Sequence, residues 1–203
     1  MTTAVEPPSW TGAANARNLA SAALRMTYQL RVHGSHFVGT SGALLMVTQC
    51  EGLLAGALVH ATSPRPVHVV ANEAMNTALP YRVLSAAGDI GLSGPGALLT
   101  QRRALAALRD DRAVVVAGSA VSLGYLGAVS GVAVMPVVLL GAVGKIPTDP
   151  PRPRSRIDVF YAPPVALTVT GDPLRTSTRT AVVEQVRQLL ADAEELAEMR
   201  VVS

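Results

Sequence analysis

The chain has 203 residues, 49% of them hydrophobic, which is enough for one sizeable core and too short for two domains to be expected. Its charge of +3 rests on sixteen arginines and one lysine, Lys145, without the clustered stripe of a nucleic-acid binder; anionic lipid or phosphate stays open as a partner. One cysteine, Cys50, excludes an intramolecular disulfide, and the start lacks a basic region followed by an apolar stretch, so a reducing, cytoplasmic setting is expected.

Residues Met1 to Trp10, with Pro7-Pro8, read as a loose arm. Ala13 to Arg31 reads as a helix with Leu19, Ala22, Ala23 and Met26 on one side, fit to cover a sheet or lie on a membrane. Gln29 to His33 alternates like a short strand, Gly34 turns the chain, and Gly39 to Gly42 leads into a buried strand, Ala43 to Val47. That strand ends abruptly in Thr48-Gln49-Cys50-Glu51 and opens an apolar helix, Gly52 to Thr62, which is how an open α/β sheet presents chemistry at its strand ends. Pro64 and Pro66 stop the helix and start a strand, Val67 to Ala71.

Asn72 to Ala87 is mostly helical in pattern despite Pro80, and Gly88 to Ser93 reads as extended. Gly94-Pro95-Gly96 breaks the chain before a helix, Ala97 to Arg109, with Leu98, Leu99, Ala104, Leu105 and Leu108 as its apolar face. Ala113 to Gly144 then contains no charged residue, long enough to raise the question of a membrane span. Gly118, Gly124, Gly127, Gly131 and Gly141 with Pro136 interrupt it, and its apolar density peaks in Val114 to Val116 and Val132 to Leu140; the pattern fits two buried parallel strands joined by a crossover helix. Pro147 to Pro153 holds four prolines in seven residues and reads as a loop. A strand at Arg156 to Tyr161, Pro163-Pro164, and a last helix from about Thr180 to Met199 complete the chain. Val182, Val183, Val186, Leu189, Leu190, Ala193 and Leu196 mark the inner face of that helix. Strands alternating with helices imply an α/β fold with a mostly parallel central sheet flanked by helices on both faces.

The scattered histidines, His33, His36, His60 and His68, have no partner at ligand spacing and read as surface or packing residues, so no metal and no cofactor is expected. Cys50-Glu51 admits a nucleophile beside a carboxylate or, as a free cysteine usually is, a buried inert thiol. Gly118-Ser119, at a strand end opening a helix, admits either backbone N–H groups for an anion or a small-residue turn required by close packing. Lys145, Arg152, Arg154 and Arg156 form the densest cationic patch, open to anionic lipid, an acidic partner or plain solvation.

The order and spacing of these segments resembles the phospholipid/glycerol acyltransferases, which include the lysophosphatidic acid acyltransferases, over roughly Leu30 to Met199. Val47-Thr48-Gln49-Cys50-Glu51-Gly52-Leu53-Leu54 falls on that family's N-H-x-S-x-x-D block, and Ala71-Asn72-Glu73-Ala74 with Gly88-Asp89-Ile90 falls on its middle block. Val115-Val116-Ala117-Gly118-Ser119 falls on F-P-E-G-T-R, Ala133-Val134-Met135-Pro136-Val137 on P-V-x-P-V, and Val159 to Val165 on the late strand and turn. The resemblance implies an N-terminal arm and helix over residues 1–29 and an acyltransferase-like region over 30–203. In the family, a histidine takes the acceptor hydroxyl's proton, an aspartate orients it, and the Glu-Gly-Thr-Arg loop with an upstream arginine holds the glycerol phosphate.

Here Gln49 stands for the histidine, Leu54 for the aspartate, Ala117 for the glutamate and about Gly94 for the upstream arginine; only Gly118 survives. A glutamine amide cannot take a proton near neutral pH, and losing a general base costs about two to four powers of ten in rate. The resemblance therefore implies a pseudoenzyme, catalytically impaired, whose groove of Gln49, Cys50, Glu51, Gly118 and Ser119 binds lipid or acyl groups, or a protein partner, in glycerolipid or cell-envelope lipid metabolism. A divergent active acyltransferase and a purely structural subunit are the alternatives. The expected location is cytoplasmic, with peripheral contact at the inner membrane face.

Overall fold

In a computed structural model, the structure describes residues 10–48, 50, 52, 54–70, 97–118, 120–146 and 149–202. Its elements in chain order are α1 (Trp10–Thr27), β1 (Gln29–His33), a short 3-10 turn (Ser35–Phe37), β2 (Leu44–Thr48), α2 (Ala55–Thr62) and β3 (Val67–Val70). There follow α3 (Ala97–Arg109), β4 (Ala113–Ala117), α4 (Ala120–Ser130), β5 (Val134–Leu140), β6 (Arg156–Tyr161) and α5 (Thr176–Val202). The segments expected at Asn72 to Ala87 and Gly88 to Ser93 lie outside the described residues.

The strands form one six-stranded sheet in the order β1-β6-β5-β2-β4-β3, parallel at every described pairing except β5 with β6. Every residue of β2, β3 and β4 is buried, as a parallel sheet covered on both faces requires. Alternation sorts their side chains. Leu44, Met46, Val67, Val69, Val115, Met135 and Val159 face Leu58 and Val59 of α2, with Leu24 of α1 packed against the same cluster. Leu45, Val47, Val70, Val114, Val116 and Val134 face α3 (Leu105, Leu108), α4 (Leu126) and α5 (Val186, Leu190).

Pro136 sits inside β5, where a residue without an N–H would ordinarily break a ladder. It does so at a changeover: β5 pairs with β2 through Val134, Met135 and Pro136, then with β6 through Val137 to Leu140. The Pro136 carbonyl still accepts a hydrogen bond from the Ala162 N–H at 3.0 Å. The uncharged stretch Ala113 to Gly144 is thus β4, α4 and β5, and no helix among the described residues is long and apolar enough to cross a membrane.

Two helix ends and one helix face differ from the sequence pattern, and the last helix runs from Thr176 to Val202 rather than from about Thr180 to Met199. The first helix stops at Thr27, because the Tyr28 N–H closes its last turn on Leu24 O and the Gln29 N–H already joins the sheet at Ser155 O, 3.0 Å away. The helix after β2 starts at Ala55 rather than Gly52; its Leu54 N-cap has no capping side chain. In α5, Leu196 is 57% exposed and Ala197 takes the inner position, since Val182, Val186, Leu190, Ala193 and Ala197 follow the helical period into the core.

Candidate functional site at the strand ends

β2 and β4 run side by side and finish together, with Thr48 opposite Ala117. One residue on, Gly118 takes a left-handed conformation (φ 65°) and its N–H donates to Thr48 O at 3.4 Å, so it extends the ladder before the chain turns into α4. Thr48 is buried, and its Oγ1 accepts the Cys50 N–H at 3.3 Å. The Cys50 sulfur, half-buried against the core, accepts the Gly52 N–H at 3.4 Å. The turn is so tight against the loop after β5 that a Cβ at Gly52 would lie 3.1 Å from Ala142 O and 3.3 Å from Val143 Cγ2.

Of the residues picked out from the sequence, the structure brings Cys50 and Gly118 to this one end of the sheet, both through Thr48. Gln49, Glu51, Ser119 and Gly94 lie outside the described residues. Leu54 and Ala117 are both buried members of the core cluster beneath α2. The described residues of the two turns, Thr48, Cys50, Gly52, Leu54, Ala117 and Gly118, include no carboxylate, imidazole or cation. Such a surface can hold apolar or weakly polar groups. Among these described residues the only titratable group is the Cys50 thiol.

The cationic residues lie beside it. Gly141 (φ 76°) bends the chain out of β5, and the following loop encloses a cleft of about 620 Å³ lined by Gly144, Lys145, Asp149, Arg152, Ser155 and Arg156 among others. Val143, in contact distance of the Gly52 turn, also lines this cleft. Lys145, Arg152 and Arg154 are exposed and make no ion pair with a described residue.

Arg156 behaves differently from the other three. Its Nε donates to Asp158 Oδ2 at 2.5 Å and a terminal nitrogen donates to Oδ1 at 3.0 Å. His33 Nε2 meets the same Oδ1 at 3.0 Å, and its ring stacks on Phe160 with centroids 4.2 Å apart. Burial alone would raise the Asp158 pKa, but hydrogen bonds from Arg156 and His33 outweigh it and hold the carboxyl below its usual range. This cluster was missed in the sequence, where His33 read as a surface or packing residue. The available signal was Asp158 itself, an acidic residue at an inward position of an apolar strand, which requires a partner.

The architecture is an acyltransferase-like α/β fold, a mostly parallel sheet with helices on both faces. No protein-family model matches the chain, and no curated protein matches it. Among solved structures it is similar to the crystal structure of PlsC, the 1-acyl-sn-glycerophosphate (LPA) acyltransferase from Thermotoga maritima, with a TM-score of 0.61 over 87% of this chain and 78% of that one. The two chains are 16% identical, so the likeness is one of fold.

Proposed function

We propose that the chain is a catalytically impaired relative of the glycerolipid acyltransferases, which binds lipid or acyl groups at the strand-end surface and serves glycerolipid or cell-envelope lipid metabolism at the cytoplasmic membrane face. The observation that carries this reading is the pair Leu54 and Ala117. At positions where the resemblance expects an orienting aspartate and an anion-binding-loop glutamate, both are buried in the apolar core. Neither side chain carries a polar group, and burying an unpaired carboxylate at either position would be costly. With glutamine at the histidine position, the general base that the resemblance expects is missing.

The fold retains what a binding role needs. A cleft lies beside the strand-end turn, with Val143 lining the one and packed against the other, and the thiol and backbone groups at the junction are weakly polar. The test is to purify the full chain and extract it for mass spectrometry of co-purified lipid, then offer it acyl-CoA or acyl carrier protein with a lysophospholipid acceptor. Bound lipid without turnover supports the reading. Turnover that Gln49→Ala abolishes would make the chain a divergent acyltransferase instead, and a stoichiometric protein partner without lipid would make it a structural subunit.

A further inference from the structure

We infer that the end of the sheet carrying the β5–β6 loop docks on an anionic phospholipid bilayer and takes one headgroup phosphate into the cleft between Gly141 and Arg156. The inference deepens the lipid-binding reading above and rests on it only for the class of ligand. Four observations converge on this surface.

Charge is the first. The segment 141–156 carries Lys145, Arg152, Arg154 and Arg156 against a single carboxylate, Asp149, and Arg25 adds a cation from the last turn of α1. The second is the apolar company these cations keep: Val143 and Ile146 flank Lys145 and are 44% and 53% exposed, while Met26, beside Arg25, is 88% exposed. The end of α1 is tied to the loop by the Arg154 N–H on Thr27 O at 2.7 Å and the Tyr28 hydroxyl on Pro151 O at 3.3 Å, so both sets belong to one surface. Apolar side chains interleaved with cations suit the headgroup layer, where the former enter the acyl boundary and the latter meet phosphates.

Third, Ser155 lines the cleft with a buried Oγ that has no hydrogen-bond partner among the described residues. A hydroxyl left unpaired away from water is unfavourable, and a phosphate oxygen in the cleft would accept from it. Arg156 is already committed to Asp158, which leaves Lys145 and Arg152 as the cations for the headgroup. Fourth, Val143 joins this cleft to the strand-end turn at Gly52, so a lipid seated by its headgroup would have its chains beside the proposed acyl-binding surface.

Co-sedimentation of the full chain with phosphatidylcholine vesicles, with and without phosphatidylglycerol, tests the inference. The chain is expected to bind only the phosphatidylglycerol vesicles and to be released by salt. Lys145→Gln and Arg152→Gln should each weaken binding about fivefold, the effect of removing one cation from a membrane surface. Ile146→Ser should weaken the salt-resistant part, and Ser155→Ala should weaken binding while leaving its salt dependence unchanged. Arg109→Gln, at the end of α3 next to the start of β4, should bind as the parent does.

Binding indifferent to phosphatidylglycerol, an Arg109→Gln loss equal to that of Lys145→Gln, or no vesicle binding at all would overturn it. So would binding of soluble glycerol 3-phosphate without vesicle binding, which marks a free-phosphate site, or capture by an acidic protein alone. The two readings fail separately. Acyl transfer with vesicle binding intact sinks only the impaired-enzyme reading, whereas co-purified lipid without vesicle binding sinks only the docking surface.

Discussion

Replacing Gly141 by alanine should destabilise the chain far more than the same change at Gly131, although both glycines have nearly the same left-handed backbone, φ 76° and φ 66°. An L-residue in that conformation costs about 1–2 kcal/mol. Alanine recovers about 0.4–1 kcal/mol of that by restricting the unfolded chain, so Gly131→Ala, whose Cβ would meet nothing within 4 Å, should lose about 1.5 kcal/mol or less. At Gly141 the new Cβ would stand 2.5 Å from Arg156 O. That atom is backbone at the start of β6, so the strand must move, and forcing a packed site apart costs about a further 1–3 kcal/mol. Urea denaturation of the two variants gives the comparison. With slopes near 2 kcal/mol/M, an extra loss of about 2 kcal/mol lowers the Gly141→Ala midpoint by about 1 M relative to Gly131→Ala. Equal midpoints would refute the close approach of the two strand ends, and with it the shape of the cleft.

Other consequences are equally direct. Leu58, fully buried between α2 and the sheet, should cost about 3–5 kcal/mol on truncation to alanine, read from the same denaturation curves. Burial lifts the Tyr161 phenol well above its usual range, so a spectrophotometric titration should show this tyrosine ionising only as the chain unfolds; early ionisation would contradict its packing. Tyr161→Phe should lose about 1–2 kcal/mol, since the hydroxyl meets Thr62 Oγ1 at 2.8 Å and Val59 O at 3.2 Å. Because the folded Asp158 pKa is depressed, its contribution is present above the unfolded value of about 3.9 and is lost as pH falls through the folded one. Asp158→Asn should therefore be less stable than the parent at neutral pH, and the gap should close as acid protonates the parent carboxylate; a gap independent of pH would contradict the ion pair.

Much of the fold was legible because local pattern and tertiary role agree. The valine runs of β4 and β5, separated by a small-residue helix, are buried on both faces, and the strand read at Arg156 to Tyr161 is β6 with the same bounds. Pro136 was placed within the strand Val132 to Leu140, but the changeover of partners from β2 to β6 that makes a proline tolerable there is visible only in the assembled sheet. At helix ends the pattern drifts: Leu196 looks inward on a coarse count of apolar residues, yet the helical period hands the core position to Ala197. The His33–Asp158 pairing joins residues 125 apart in sequence, a contact set by β1 lying beside β6 that no local spacing encodes. For the strand-end site, Leu54 and Ala117 could be picked out by position, while their burial in one core cluster is a property of the assembled sheet.

The central claim is that acyl-transfer chemistry has been lost from a retained fold, and its most direct test is the release of CoA thiol from acyl-CoA in the presence of a lysophosphatidic acid acceptor. The account predicts a rate no greater than that without protein, unchanged by Gln49→Ala. Protein-dependent release that the substitution abolishes would contradict it.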